Sequence, residues 1–365
     1  MVTYLAGNRA VGTNAERLAL NSPQVSGVGG WKELGRTTLN ASNAYIDVTG
    51  LTSKRYYMIL FSGAGNAGAT SDGYYQFGDT SFDGTAAYAT RYSANGGSDT
   101  TSYVSQTQML CDCGTNVSGG SNSFTVGYLT NYQTKEKLYI GHHIVQGLAT
   151  ASYTPSRGEQ VSKWANTTNS VTRVRAMTDS AGQTWNSGGE LVVLGWDPAD
   201  THTTNFWQEL ASVSLTSADT VIDSGSFTSK KYLWYQAFIK QASPYTVRLQ
   251  ANGDTSSNYS FRYQGNGILT DGTSTSALKF GGNYTSFSQG MFMTGFIKNV
   301  TTKEKLHIGH TAENNTSGAG VAPDRIEFFG KWANSTAAIT SLQVRIEPSM
   351  GNIQSGSFLK VWGSD

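Results

Sequence analysis

Thr134-Lys-Glu-Lys-Leu-Tyr-Ile-Gly-His142 and Thr302-Lys-Glu-Lys-Leu-His-Ile-Gly-His310 differ at one of nine positions and lie 168 residues apart. Working outward, Lys163-Trp-Ala-Asn166 returns as Lys331-Trp-Ala-Asn334 at the same offset. Toward the N-terminus, Arg91-Tyr92 with Asn95-Gly96 matches Arg262-Tyr263 with Asn266-Gly267, at 171. Gly78-Asp79-Thr80 matches Gly253-Asp254-Thr255 at 175. Thr52-Ser-Lys-Arg-Tyr56 and Trp31-Lys-Glu33-Leu34 match Thr228-Ser-Lys-Lys-Tyr232 and Trp207-Gln-Glu209-Leu210, both at 176. The copies close on Gly195-Trp-Asp197 and Gly363-Ser-Asp365.

The matches are collinear, and the shrinking offset places the lost residues in turns. A unit near 170 residues is too long for a solenoid repeat or a propeller blade, so a whole domain is duplicated. A domain of that size buries enough surface to fold alone. The expected organisation is an arm over 1–30, a first copy over 31–197, a polar linker over 198–206 and a second copy over 207–365.

Within each copy the period is that of strands. Leu342, Val344 and Ile346 alternate with Gln343, Arg345 and Glu347, and Val247 and Leu249 alternate with polar neighbours. Lys231 to Ile239 carries aromatics on both faces and is expected to be covered on both sides. Asp72-Gly73, Asp83-Gly84, Asn95-Gly96, Asn252-Gly253, Asn266-Gly267 and Asp271-Gly272 read as turns. The fold expected is all-β: two tandem β-sandwiches, jelly-roll-like, behind a short N-terminal arm.

Composition agrees. The 365 residues include 42 Gly and 19 Tyr but only 6 Pro. Charged residues are 14%, against about 25% in an average soluble protein. A net charge of +1 without basic runs offers nucleic acid or an anionic membrane no electrostatic footprint. No apolar stretch reaches the length of a membrane span. The start lacks the basic and apolar regions of a secretory signal, which places synthesis and folding in a cytosol.

Candidate chemistry is sparse. Trp164 and Trp332 are expected to anchor the two cores, and Trp31 and Trp207 to pin the first strands. Glu136 and Glu304 sit between lysines and read as members of ion pairs within their domains; Arg91 and Arg262 are matched likewise. A glycosidase needs two carboxylates in unlike environments, and no such pair is marked out. His142 and His310 read as hydrogen-bonding residues at a strand end. With His143, His202 and His307 they complete the histidines. Cys111 and Cys113 stand too close along one strand for an easy disulfide and read as thiols, with a metal site on the C-x-C pair as the alternative. No cofactor motif is present, and the chain is expected not to be an enzyme. Tyr74, Tyr75, Tyr103, Trp185 and Trp234 lie outside the duplicated motifs and are candidates for stacking on sugar. In the arm, Tyr4, Leu5, Leu18 and Leu20 suggest contact with another subunit.

As a set, these motifs resemble those of virion proteins of marine tailed bacteriophages, over residues 31–197 and 207–365. The resemblance implies a component of the particle exterior, assembled in the host cytoplasm. It would be a capsid decoration or head-fibre protein bound to the major capsid protein, forming a homo-oligomer, expected to be a trimer. A tail-fibre module recognising a host surface glycan is the alternative, and a polysaccharide depolymerase on the same scaffold comes third.

Overall fold

The computed structural model describes residues 30–66, 72–112, 121–178, 182–198, 200, 205–240, 246–280, 290–314, 319–346 and 351–365. The arm residues Tyr4, Leu5, Leu18 and Leu20, with Cys113 and His202, lie outside them.

Every helix or strand element among the described residues is a strand. The first copy contains β1 (Lys32–Thr38), β2 (Tyr45–Val48), β3 (Tyr56–Ala64), β4 (Gly73–Gly78), β5 (Tyr88–Ala94), β6 (Thr100–Gln106), β7 (Met109–Asp112), β8 (Asn122–Thr130), β9 (Lys137–Val145), β10 (Ser156–Trp164), β11 (Arg173–Thr178) and β12 (Glu190–Trp196). The second contains β13 (Gln208–Ser214), β14 (Val221–Asp223), β15 (Tyr232–Ile239), β16 (Val247–Ala251), β17 (Tyr259–Gly265), β18 (Ile268–Thr275), β19 (Leu278–Phe280), β20 (Gly290–Lys298), β21 (Lys305–Asn314), β22 (Asp324–Trp332), β23 (Leu342–Ile346) and β24 (Phe358–Ser364).

Each copy is a sandwich of an eight-stranded and a four-stranded antiparallel sheet. The large sheets run β1-β12-β3-β8-β9-β10-β5-β6 and β13-β24-β15-β20-β21-β22-β17-β18. The small ones run β2-β11-β4-β7 and β14-β23-β16-β19. The second order repeats the first strand for strand, twelve positions later, so the halves share one topology. Even the bulge in the first strand recurs, at Glu33/Gly35 and at Glu209/Ala211.

Two of the expected turns close hairpins. Asn95 and Gly96 (φ 51° and 76°) open the five-residue connection from β5 to β6, and Asn266 and Gly267 (φ 47° and 86°) are the whole connection from β17 to β18. These are the left-handed angles that a two-residue hairpin turn requires. Asp271-Gly272 is not a turn; it lies inside β18. There a Cβ on Gly272 would stand 2.4 Å from the Phe261 ring, so the glycine admits a neighbour's ring. Gly73 likewise opens β4 rather than a turn.

Each sandwich has its own core between its sheets. One is built on residues such as Tyr57, Phe61, Tyr75, Phe77 and Trp164, the other on Tyr235, Phe261, Phe280, Phe328 and Trp332. A third cluster belongs to neither. It joins Met58, Leu60, Phe124, Val126, Ile144, Val192 and Leu194 of the first copy to Trp207, Tyr232, Phe296, Leu306, Ile308, Phe329 and Trp362 of the second. The large sheets therefore pack face to face, and the molecule is four sheets deep.

Candidate functional site: the interface between the sandwiches

The repeated motifs interlock on neighbouring strands. Lys137 and Lys305, the second lysines of Lys-Glu-Lys, are buried with their ammonium groups 5.4 Å from the ring centroids of Trp164 and Trp332. Each donates to the main-chain oxygen of the motif asparagine, Asn166 at 2.7 Å and Asn334 at 2.6 Å. The indole nitrogens donate to Asp83 and Asp254, both at 2.7 Å. Glu136 pairs with Lys163 at 2.9 Å and Glu304 with Lys331 at 3.1 Å. Charge, indole and carbonyl are thus satisfied within one corner of each sandwich, as buried polar groups must be.

These contacts also correct the sequence alignment. Asp254 has Asp83 as its partner in role, not Asp79; Asp79 instead accepts from Thr172 at 3.1 Å. The Gly-Asp-Thr coincidence at offset 175 joins residues with different duties. Sequence reading also missed Asn131 and Asn299, which accept from the main-chain nitrogens of Val171 and Ile339, both at 2.7 Å. Their spacing of 168 was the available signal.

His142 and His310 are not at strand ends. They sit inside β9 and β21, and their rings meet across the interface with centroids 4.5 Å apart. The preceding glycines serve packing. A Cβ on Gly141 would stand 2.4 Å from the Tyr139 ring, and one on Gly309 2.7 Å from His307. His143 and His307 face their own cores and are fully buried. Burial holds the protonation of His142, His143 and His307 down to about 3, and lowers that of His310.

Trp207 is fully buried, but in the interface cluster, with Trp31 partly buried at its edge against Tyr128 at 6.2 Å. These residues pin the sandwiches to each other more than the first strands to their own cores. The expected polar linker is anchored as well. Asp197 and Asp200 bind Lys54, and Phe206 is buried with its N–H donating to the Trp31 oxygen at 2.8 Å.

Alternate residues of the first large sheet face the second sandwich in cross-strand rows. One row is Glu190, Ser62, Phe124, Ile144 and Arg157; the next is Val192, Leu60, Val126, His142 and Glu159. Glu190 reaches Lys231 at 2.9 Å and Lys298 at 3.4 Å from the second copy, Thr38 at 2.6 Å from its own, and the Tyr232 hydroxyl. Burial opposes its charge, but Lys298 and these hydrogen bonds outweigh it and bring its pKa to about 2. Burial takes Lys298 down to about 7.

At the other end of the row Arg157 binds Glu159 and Gln264, and reaches Glu327 at 3.3 Å. Glu327 also pairs with Arg325 at 2.6 Å. Burial and the hydrogen bond to Glu327 raise Glu159 to about 7. The loop after β9 closes a third contact: the Lys331 ammonium donates to the oxygens of Gln146 at 3.1 Å and Leu148 at 2.7 Å. Glu304 accepts from the Thr150 N–H at 2.6 Å.

Two cavities open along this seam. One of about 370 Å³ is lined by Asn122, Ser123, Glu190, Lys231, Lys298 and Glu304, among others. One of about 230 Å³ is lined by Tyr128, His142, Trp234, Gln236, Thr294 and His310, among others.

Of the residues proposed to stack on sugar, Trp234 lines the second cavity. Tyr75 and Trp185 are fully buried and Tyr74 nearly so, which removes all three from that role. All three lie on or beside the small sheet, with Tyr75 and Trp185 in its core, and the alternating pattern of β4 did not reveal that both faces of that strand are covered. Tyr103 packs on Tyr92 at 5.5 Å. Arg91 faces Asp99 at 3.6 Å and Arg262 pairs with Asp271 at 2.7 Å. Cys111 is buried in the first core. Among the described residues no three His, Cys, Asp or Glu side chains converge as metal ligands, and no helix is long and apolar enough to cross a membrane.

No family model and no curated protein matches the chain. Among solved structures it is similar to the LG4-5 domains of the mouse laminin α1 chain, at 10% identity and a TM-score of 0.21 over 93% of this chain and 92% of that one. The LG1-3 region of the laminin α2 chain is similar at 10% identity and a TM-score of 0.21, over 90% of this chain and 62% of that one.

Proposed function

We propose that the chain is a non-catalytic structural protein of a bacteriophage particle, displayed on the exterior and bound to the major capsid protein. The observation that carries this reading is the use made of the duplicated residues. Trp164 and Trp332, Lys137 and Lys305, Asn131 and Asn299 repeat the same internal bonds in both copies. What the copies share is therefore a scaffold. Where they meet, the His142 ring packs on that of His310, and Glu159 and Glu327 pair with Arg157 and Arg325, an arrangement that fixes two sheets rather than flanking a substrate bond.

Recognition of a host surface glycan is the second reading, favoured by Trp234 beside Tyr128, Gln236 and Thr294 in the smaller cavity. At about 230 Å³ that cavity falls below the usual range of small-ligand sites, so the structural reading comes first.

Purified protein added to assembled capsid shells lacking it should co-sediment to a saturating, high copy number. Absence of binding to shells, together with hits on a glycan array, would replace the first reading by the second.

A further inference from the structure

Glu190 and Lys298 stand outside the duplication, although their strands are within it. β12 pairs β3 as β24 pairs β15, and this register puts Phe358 of the second copy where the first has Glu190, opposite Phe238 and Ser62 respectively. In the same way Lys298 faces Tyr232, while its counterpart Thr130 faces Tyr56. Each sandwich thus forms the same sheets with one of these two charges missing. The pair serves something that the copies do not share.

The charges around it do not balance. Glu190 faces three cations: Lys231 at 2.9 Å, Lys298 at 3.4 Å and Arg36 at 3.7 Å. Arg36 has its own partner in Glu33, at 2.8 Å. Two ammonium groups remain for one carboxylate, and the exposed Lys303 adds a third at the rim of the same cavity. Glu304, the other carboxylate in the wall, is held by Lys331 at 3.1 Å. The Lys298 side chain is only 10% exposed, and its ammonium lies 3.8 Å from the centroid of the Tyr232 ring. Burial, joined by the charge of Lys231, takes Lys298 down to about 7 despite Glu190. Buried positive charge in excess of its counter-ions is costly, and an anion in the cavity relieves that cost.

The cavity has room for one. At about 370 Å³ it falls within the range of about 300–1,000 Å³ usual for small-molecule sites. Ser62, Asn122 and Thr302 place hydroxyl and amide groups on its wall, beside the small Gly63 and Gly189. Glu190 does not oppose an anion there. Thr38 and Lys231 cover one of its oxygens, Tyr232 and Lys298 the other, so its charge is met within the wall.

We propose that this cavity binds a small hydroxylated organic anion, a polyol or sugar carrying one carboxylate or phosphate, with its charged group on Lys231 and Lys298 and its hydroxyls toward Ser62 and Asn122. The excess of ammonium groups selects an anion, the volume selects a small molecule, and the polar wall selects hydroxyls over a hydrocarbon body. The ligand bridges the copies, because both lysines come from the second and Ser62 and Asn122 from the first. The site is separate from the smaller cavity and does not depend on what the particle exterior binds.

The test is titration calorimetry of the full chain with D-galacturonate, α-glycerophosphate, galactose and sulfate. At least one of the two organic anions should bind saturably, with a dissociation constant of about 1 mM or lower. The tighter of them tells carboxylate from phosphate. Galactose, which lacks the charge, and sulfate, which lacks the hydroxyls, should bind about tenfold more weakly or not at all. Lys231→Gln should weaken the bound anion about tenfold, the loss of one charged hydrogen bond. Because Lys231 also steadies Glu190, Lys303→Glu at the exposed rim is the second variant, and it should weaken binding with the denaturation midpoint unchanged. No binding of either organic anion, equal binding of galactose or of sulfate, or an unchanged affinity in a folded variant of either lysine would each overturn the proposal. Capsid binding is read separately by co-sedimentation, so the two readings fail independently.

Discussion

Glu190 shows how much one side chain carries. It is a buried carboxylate of the first copy held by Lys231, Lys298 and Tyr232 of the second, and a pair of this kind is costly to break because the remaining charge stays buried. Its depressed pKa of about 2 means that the stabilisation is complete above the unfolded value near 4.5 and is lost as the pH falls toward 2. The histidines act over an earlier window. His142, His143 and His307 titrate near 3 in the fold against about 6.5 unfolded, so the unfolded chain takes up protons first and stability declines as the pH drops from 6.5 to 3. Glu159 and Glu313, raised to about 7 chiefly by burial, work in the opposite sense between 7 and 4.5 and offset part of that decline. Guanidinium unfolding at a series of pH values should therefore show a shallow loss from 6.5 to 4.5 and a steep one below. Glu190→Gln should be less stable at pH 7 by about 3 kcal/mol, and its curve should lack part of the steep segment. His142→Asn with His310→Asn should flatten the profile by up to about 1.4 kcal/mol per pH unit for each histidine. An unchanged profile in both variants would contradict this account of the seam.

At the scale of the strand, β9 and β21 explain why the most repeated motif is repeated. Their first lysine reaches beneath the indole of the next strand, the glutamate just before it pairs with that strand's lysine, and their glycine makes room for a ring. Gly141→Ala should cost about 1–3 kcal/mol through overpacking, measured as a shift of the denaturation midpoint. The same change made beside Tyr139→Leu should cost less, since the clash is with that ring. Much of this was legible in the sequence: periodicity gave strands, Asn-Gly pairs gave two hairpins, and the duplication gave two like sandwiches. Other parts were not. A glycine inside a strand and a glycine in a turn look alike in sequence, so Asp271-Gly272 reads as a turn and Ile-Gly-His as a strand end although both lie inside strands. Trp185 and Tyr75 gave no sign of burial because aromatic residues suit an exposed platform and a core equally well. Arg157 and Glu190 have no signature in sequence because they bind Gln264, Glu327, Lys231 and Lys298 of the other copy, and no spacing along the chain encodes which faces meet.

At the scale of the whole molecule, the two domains are expected from sequence to fold independently, yet the structure gives them a common apolar layer. Trp207, Phe296, Leu306, Ile308 and Phe329 are core residues only while the first sandwich is in place. Scanning calorimetry should accordingly record one cooperative transition, and a fragment comprising residues 207–365 should associate or precipitate where the full chain stays monodisperse. Two resolved transitions, or a soluble monomeric fragment, would show the layer to be dispensable. The same layer imposes an order on biosynthesis. Phe124, Val126 and Ile144 leave the ribosome well before Phe296, Ile308 and Phe329 exist to cover them, a delay on the order of ten seconds at common elongation rates. Throughout that interval the nascent first half displays a greasy sheet face with nothing of its own chain to cover it, the point at which self-association competes with folding.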